Sequence, residues 1–179
     1  KEFENLVRRT HKAGLKMVID FVPNHVARQY GSDACPKGVK DLGANDDTTK
    51  AFDPNNNFYY IPGQSLHTGF DTERRSEIPY DETPAKVTGN DHFDAWPSRN
   101  DWYETVKLNY GVDYLGGRQT HFTPVPSTWL KMTDILLFWA KKGVDAFRCD
   151  MAEMVPAEFW AYATKKVKEK YPEVLFIAE

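Results

Sequence analysis

The 179-residue sequence has few features of membrane, nucleic-acid-binding or disulfide-stabilised proteins. Its longest unbroken apolar run, Ile135–Ala140, is far shorter than the ~20 residues that a membrane-spanning helix needs. Lys and Arg number 23 and Asp and Glu 26, so the formal net charge is −3 and no basic surface for nucleic acid is predicted. The two cysteines, Cys35 and Cys149, form no Cys-x-x-Cys pair and predict neither a disulfide framework nor a zinc knuckle.

The sequence also shows no targeting segment. It starts at Lys1 without a methionine or a following apolar stretch, as an excised or mature segment would. The compartment therefore stays open, with the periplasm or the outside of the cell favoured over the cytoplasm.

Hydrophobic periodicity predicts alternating helices and strands. The predicted helices cover residues 1–13, 126–142 and 156–171, and the predicted strands cover 15–22, 144–149 and 174–178. This order predicts parallel strands joined by crossover helices, and thus an α/β sheet or barrel. About a hundred residues rich in Asp, Asn, Pro and Gly separate the first two strands, and their many aromatic residues predict a functional subdomain rather than disorder.

Charged residues lie within two of these apolar strands. The first strand is nearly continuous in apolar and β-branched residues and is predicted to be buried on both faces of a parallel sheet. Asp20 interrupts this strand, where an unpaired carboxylate would be costly to bury. Arg148 and Asp150 are two residues apart in the second strand and therefore point to the same face. If the strands are neighbours, Arg148 can bridge Asp20 and Asp150 and keep Asp150 ionised. A purely structural ion-pair network is an equally open interpretation of this spacing.

Polar residues also follow each strand at its carboxyl end, where α/β sheets and barrels build their sites. Asn24 with His25, Asp150, and Glu179 occupy these positions. Two carboxylates and a guanidinium at one edge suit glycoside hydrolysis, with Asp150 attacking the anomeric carbon. Glu179 ends an apolar run, which predicts a raised pKa suited to a general acid.

Three short motifs and one further stretch resemble a known family. Asp20–His25 reads DFVPNH, Ala146–Asp150 reads AFRCD and Phe176–Glu179 reads FIAE. In this order they resemble the first three signatures of the α-amylase family, glycoside hydrolase family 13. The stretch 108–110, LNY, resembles the part of that family just before the fourth strand. The resemblance runs from the helix before the third barrel strand to the end of the fifth strand.

This resemblance implies the fold and its division. The expected architecture is α/β, a partial (β/α)8 TIM barrel with an inserted domain B after the third strand. Residues 1–27 would form one barrel segment, 28–105 the irregular domain B and 106–179 a second barrel segment. Three strands cannot close a barrel, so we expect the chain 1–179 alone to be insoluble or inactive without the remainder of its barrel.

The resemblance also implies roles for the site residues. Asp150 would be the nucleophile of a retaining reaction that passes through a covalent glycosyl-enzyme, and Glu179 the acid/base. Arg148 would orient Asp150, with Asp20 as the buried partner of Arg148. His25 would donate hydrogen bonds to sugar hydroxyls. Met151, Glu153 and Met154 depart from the family pattern near the leaving-group sugars.

A metal ligand and further substrate-binding residues are also predicted. Asn24 occupies a position that in many members binds a structural calcium with groups of domain B. Lys107, however, stands where many members have an acidic calcium ligand, although Asp46, Asp47 and Asp53 could supply oxygens. No organic cofactor is expected. Trp96 and Trp102, in a polar stretch, are predicted to contact the substrate, whereas most other aromatic residues of domain B are expected to form its core.

The function predicted from the sequence is a retaining α-glycosidase that acts on α-glucans or related α-glucosides. Its partner would be an oligosaccharide or polysaccharide. An α-glucan transglycosylase of the same family is the alternative, and a non-catalytic carbohydrate-binding protein on the same fold is a third possibility. A metal-dependent barrel hydrolase would need histidines clustered at strand ends, which the spacing of the histidines does not predict.

Overall fold

The computed structural model describes residues 1–31, 34–35, 37–70 and 80–179. The chain divides into two compact units, which are described separately. Unit 1 contains Lys1–Asn24 and Trp129–Glu179, and unit 2 contains His25–Thr128. Unit 2 therefore extends beyond the 28–105 segment expected for domain B.

Unit 1 consists of a parallel sheet and its helices. In chain order its elements are α1 (Glu2–Lys12), β1 (Val18–Phe21), α2 (Ser127–Lys141, whose first two residues belong to unit 2), β8 (Ala146–Cys149), α3 (Ala157–Lys170) and β9 (Leu175–Ala178). The strands lie in the order β1-β8-β9, and both neighbouring pairs are parallel. Each helix and strand lies within its predicted range, and the α/β class predicted from the sequence is confirmed.

The register places Asp20 beside Arg148 and Arg148 beside Ile177 across the three strands. The alternate positions Phe21, Phe147 and Cys149 point to the other face and are buried. Phe21 contacts Trp160 of α3 edge-on, with ring centroids 6.1 Å apart. One face of the sheet is thus covered by helices.

The opposite face of the sheet is largely open. Val18, Leu175 and Ile177 on this face are each about half exposed. The expectation that the first strand is buried on both faces is therefore wrong for this chain, because within the described part of unit 1 only one face is covered.

Helix α3 supplies much of the core of unit 1. Phe159, Ala163 and Val167 are fully buried and lie three to four residues apart, on one helix face. Phe159 packs edge-on against Trp129, with ring centroids 5.9 Å apart. Acidic Glu158 lies in the first turn of α3 and basic side chains lie in its last turn, as the helix dipole favours.

Unit 2 is built from short antiparallel strand pairs. These pairs are β2 (His25–Ala27) with β5 (Thr105–Lys107), β3 (Tyr60–Ile61) with β4 (Ala85–Lys86), and β6 (Val112–Asp113) with β7 (Gln119–Thr120). After β5 the chain stays in unit 2, because Leu108 forms a bridge to Phe58 and the Asn109 amide donates to the Asn57 carbonyl. These contacts explain why unit 2 continues beyond residue 105.

Aromatic side chains form part of the core of unit 2, as expected. Tyr59 is 2% exposed, and its ring contacts those of Phe93 and Tyr114 edge-on. A buried ion pair between Arg28 and Glu82 lies in the same unit. No helix in the described ranges is long and apolar enough to cross a membrane.

Candidate active site

The hydrogen-bond ladder of the unit 1 sheet extends one residue beyond each strand. The amide of Asp150 donates to the Phe21 carbonyl at 2.9 Å, and the amide of Glu179 donates to the Cys149 carbonyl at 3.1 Å. Both carboxylate residues therefore stand at the carboxyl edge of the sheet on neighbouring strands. This is the edge at which parallel α/β folds place their sites.

Arg148 holds these carboxylates together. Its Nη1 lies 2.9 Å from Asp150 Oδ1 and 3.3 Å from Asp20 Oδ2. Its Nη2 lies 2.5 Å from Glu179 Oε1. Partial desolvation lowers the pKa of Arg148, but the hydrogen bond to Asp150 and the charges of the three carboxylates raise it overall, so the guanidinium stays charged. The bridge from Asp20 to Asp150 predicted from the sequence is present, and Glu179 joins it.

Asp20, in contrast, is not the buried partner that the sequence predicts. Its side chain is 62% exposed. It points to the open face of the sheet, whereas the prediction assumed an apolar strand covered on both sides. Its contact with Arg148 is therefore a largely solvated ion pair.

The electrostatics of Glu179 also differ from the expectation. The backbone amide of Met151 donates to Glu179 Oε2 at 3.1 Å, and this hydrogen bond is the main cause of a lowered pKa of Glu179. Desolvation opposes the shift, and the charge of Arg148 adds to it. The predicted rise in pKa is wrong for this structure, because the carboxylate is about half exposed and hydrogen-bonded in its charged form.

The turn that supplies this amide was not predicted. Met151 has φ 45° and ψ 44°, a left-handed conformation that costs a non-glycine residue about 1–2 kcal/mol. A 3₁₀ turn over Ala152–Met154 follows, and the Trp160 indole N–H donates to the Ala152 carbonyl at 3.0 Å. Because Met151 carries none of the usual sequence signs of a left-handed residue, the sequence gives no signal for this amide donor.

Cys149 lies next to the two charged residues but on the helix-covered face. Burial raises the pKa of its thiol to about 11. The thiol therefore stays protonated near neutral pH and is a poor candidate for a nucleophile.

The other predicted substrate-binding residues belong to unit 2. The His25 ring lies against the Trp102 ring, with centroids 5.4 Å apart. Gly89 permits this packing of His25, since a β-carbon at that position would lie 2.9 Å from the His25 Cβ. Gly89 lies in the long segment rich in Asp, Asn, Pro and Gly, and the sequence alone gives no signal for this contact.

Trp96 is the most exposed of the predicted sugar contacts. Its side chain is 61% exposed, and its ring stacks on His67 with centroids 4.1 Å apart and planes 16° apart. Its backbone amide donates to Asp94 Oδ1 at 2.7 Å. Trp96 thus presents a broad apolar surface from a fixed backbone.

The oxygen donors proposed for calcium are largely committed to other partners. Asp46 accepts hydrogen bonds from the Asn57 and Phe58 amides and from the Tyr60 hydroxyl. Asp47 and Asp53 bond to amides of their own turns and pair with a lysine. Asn24 is 1% exposed in unit 1. Across the described residues, no three His, Cys, Asp or Glu side chains are arranged to hold a metal ion, so the three aspartates do not fit a calcium site as a group. The role of Asn24 as a calcium ligand stays a prediction.

Barrel enzymes place their active sites at the carboxyl edge of parallel strands, and most enzymes that hydrolyse glycosidic bonds use a pair of carboxyl groups. A family model described as "Alpha amylase, catalytic domain" matches residues 1–176. The chain therefore belongs to the α-amylase family, and its unit 1 is part of the family's (β/α)8 barrel.

Individual relatives include amylases and a maltosyltransferase. The structure of an α-amylase from Lactobacillus plantarum is similar over 99% of this chain and 28% of that chain, with 26% identity and a TM-score of 0.56. A maltogenic amylase from S. marinus shares the fold over 99% of this chain and 23% of that chain, with 22% identity and a TM-score of 0.55.

An alpha-1,4-glucan:maltose-1-phosphate maltosyltransferase of Myxococcus xanthus is 40% identical over 53 residues, which is 30% of this chain and 8% of the relative. The chain thus spans less than a tenth of this curated relative and just over a quarter of the Lactobacillus plantarum structure.

Proposed function

We propose that this chain carries the nucleophile and the acid/base of a retaining enzyme that acts on α-glucans or related α-glucosides. The main supporting observation is the shared contact of Arg148 with Asp150 and Glu179 at the carboxyl edge of the sheet. Because the chain spans only part of its relatives, the activity is proposed for the complete protein that contains it.

In the first step, the Asp150 carboxylate attacks the anomeric carbon. The bond from that carbon to the leaving oxygen breaks, and Glu179 donates its proton to this oxygen. In the second step, Glu179 accepts a proton from water or from a sugar hydroxyl, whose oxygen displaces Asp150. Arg148 keeps Asp150 oriented throughout and remains protonated.

The shared guanidinium favours the retaining over the inverting arrangement. Retaining enzymes need their two carboxyl groups about 5–5.5 Å apart, whereas inverting enzymes leave about 6.5–9.5 Å for a water molecule. One planar guanidinium that contacts both Asp150 and Glu179 supports the shorter separation.

The pKa of Glu179 adds a requirement to this mechanism. A general acid must carry its proton when the substrate is bound, and the contacts with Met151 and Arg148 favour the ionised form. The substrate must therefore weaken these contacts when its leaving oxygen approaches Glu179.

Residues of unit 2 suit sugar binding. The exposed Trp96 ring has the flat apolar surface on which a sugar ring stacks, and His25 and Trp102 form a second aromatic pair. We assign all three to substrate binding, as the sequence predicts.

The nucleophile is tested by Asp150→Asn in the complete protein, with an aryl α-glucoside as substrate. We expect turnover to fall by several orders of magnitude while the circular dichroism spectrum and the melting temperature stay close to those of the parent. Asp134→Asn, an exposed carboxylate on α2, is the matched control and is expected to keep full activity. Near-normal turnover by Asp150→Asn would remove the assignment.

The acid/base role is tested by Glu179→Gln with two leaving groups. A dinitrophenyl glucoside needs no proton for departure, whereas an alkyl glucoside does. We therefore expect the variant to lose far more activity toward the alkyl glucoside in the first step. An equal loss with both substrates would contradict the assignment. NMR identification of the first-formed anomer tests retention.

Transglycosylation is the second candidate, because the relative from Myxococcus xanthus is a maltosyltransferase. Incubation of the complete protein with maltooligosaccharides distinguishes the two reactions. Longer products that increase with acceptor concentration indicate transfer, and reducing sugar released in proportion to bond cleavage indicates hydrolysis. If neither forms but the sugar binds, the protein is a carbohydrate-binding protein on this fold.

A further inference from the structure

Lys107 places a positive charge inside unit 2. Its side chain is only 2% exposed, although lysine side chains are rarely buried in proteins. It is the last residue of β5, and its backbone amide donates to the Val87 carbonyl at 2.8 Å. The ammonium is therefore carried into the interior by a strand that is itself fixed.

The ammonium lies against a carboxylate and an aromatic ring. Its Nζ lies 2.6 Å from Asp91 Oδ1 and 5.3 Å from the centroid of the Tyr114 ring. Burial lowers the pKa of Lys107, and the hydrogen bond and charge of Asp91 oppose this shift. These contacts suit a cation, because both the carboxylate and the ring face attract positive charge.

Lys107 contacts both ends of the tight turn formed by residues 87–91. The backbone amide of Lys107 donates to the Val87 carbonyl, and the Lys107 ammonium pairs with the Asp91 carboxylate. The Asp91 amide closes the turn by donating to the Thr88 carbonyl at 3.1 Å. Asp91 has φ 68°, a left-handed conformation that needs support from its surroundings. A bound divalent cation would cross-link a loop to a strand in the same way.

We propose that the Lys107 ammonium is the cation that holds the 87–91 turn to β5 and that this region takes up no calcium. A fixed ammonium already neutralises Asp91 and repels a second cation. Elsewhere in unit 2, the carboxylate of Asp46 is committed to backbone amides and a hydroxyl. The order of the 87–107 region is therefore independent of divalent metal. This inference does not depend on the proposed function, since its readout is local stability.

Hydrogen–deuterium exchange of the complete protein tests the inference locally. Peptides that cover residues 85–107 are followed in excess EDTA and in excess calcium chloride. We expect the same exchange in both, because no site in this region distinguishes the two conditions. Slower exchange of these peptides in calcium than in EDTA would overturn the proposal, whatever calcium does elsewhere in the protein.

The variant Lys107→Met removes the charge and keeps most of the apolar stem. We expect exchange over 85–107 to accelerate by roughly tenfold or more, because Asp91 loses its counter-charge and the turn opens more often. Lys50→Met is the matched control, since Lys50 pairs with Asp47 and Asp53 in the same unit but is half exposed. It is expected to leave these peptides unchanged.

A double variant separates the ion pair from simple packing. If the pair acts as proposed, adding Asp91→Asn to Lys107→Met accelerates exchange far less than Asp91→Asn does in the parent. Equal effects in the two backgrounds would contradict the proposal. If Lys107→Met does not fold, the comparison of exchange in EDTA and in calcium still tests the proposal, because it uses the parent protein.

Discussion

At the residue scale, the guanidinium of Arg148 contacts the carboxylates of three residues of the predicted site. Its two terminal nitrogens reach Asp20, Asp150 and Glu179. A lysine ammonium is a point charge and cannot present a planar fork of donors to several carboxylates at once. The geometry of the site therefore depends on arginine itself, not only on a positive charge.

Arg148→Lys is expected to lower kcat/KM by roughly 10²–10³-fold, because Asp150 and Glu179 lose their shared donor. The measurement is steady-state kinetics with an aryl α-glucoside, with circular dichroism as a check of folding. Arg9→Lys, an exposed position on α1, serves as the control and should keep full activity. Full activity of Arg148→Lys would show that a positive charge at position 148 is sufficient for activity.

Asp145 has a stabilising role at the opposite end of β8. Its Oδ2 accepts hydrogen bonds from the Met17 amide and from His11, each at 2.7 Å. Partial burial works against ionisation, but the Met17 amide and His11 outweigh it and lower the pKa of Asp145. Because the folded-state pKa lies below the unfolded value, the stabilisation is present above the unfolded pKa of about 3.9 and is lost as the pH falls through the folded value.

We therefore expect Asp145→Asn to be less stable than the parent at neutral pH, and this difference to shrink as the pH falls below about 4. Urea unfolding of both proteins at several pH values measures this difference in the free energy of unfolding. Asp134→Asn, for which no such contacts are seen, should follow the parent curve. A constant difference across the whole pH range would contradict the linkage.

The placement of Arg148, Asp150 and Glu179 at one edge of the sheet was predictable because each lies at or next to a strand end, where alternation fixes the direction of the side chain. It did not predict the exposure of Asp20 or the lowered pKa of Glu179. Both depend on what covers the sheet and on the Met151 amide, and neither is encoded in the residues themselves.

At the element scale, the helices and strands of unit 1 were predictable because their apolar periodicity is strong and Gly14, Gly143 and Pro172 limit them. The strand pairs of unit 2 are two or three residues long and carry no such period. They depend on contacts between distant residues, such as the hydrogen bonds of Arg28, which the sequence alone does not reveal.

Arg28 connects several segments of unit 2. Its guanidinium donates to Glu82 and to the carbonyls of Tyr103, Lys86 and Thr105. Both side chains of the ion pair are about 95% buried. Without Arg28, the buried Glu82 carboxylate would keep only the Lys86 ammonium, 3.6 Å away, as a counter-charge. Breaking a buried ion pair in this way costs about 3–5 kcal/mol.

Arg28→Met is accordingly expected to lower the free energy of unfolding by about 3–5 kcal/mol, measured by urea unfolding. Adding Glu82→Gln should restore part of this loss, because the buried carboxylate that has lost its main partner is then replaced by a neutral amide. Arg118→Met, at an exposed position, is the control and should change stability little. A loss below about 1 kcal/mol for Arg28→Met would show that the pair behaves as an exposed one.

At the scale of the whole molecule, the sheet of unit 1 contains three strands of an eight-stranded barrel fold. Its open face carries Val18, Leu175 and Ile177, and a hollow of about 700 Å³ lies at the amino end of the strands. Apolar surface of this kind associates with other apolar surface. In a complete barrel, the remaining strands would cover it.

We therefore expect the chain 1–179, produced alone, to self-associate and to lack activity. Light scattering and binding of an apolar dye measure the association. Replacing Val18 and Ile177 by Thr should reduce it, whereas replacing the exposed Leu115 of unit 2 should not. A soluble, monomeric and starch-cleaving preparation of residues 1–179 would refute this expectation.

Because the contacts of Arg148 depend on the register of β8, the proposed turnover of the complete protein would show whether the sheet of unit 1 has paired correctly. Side chains alternate between the two faces of a strand, so a slip of β8 by one position would turn the guanidinium toward the helices and bring Phe147 or Cys149 to the solvent side. A misassembled sheet could not sustain even slow turnover. Recovery of turnover during refolding would thus follow the pairing of these three strands, and activity could be used to time that event.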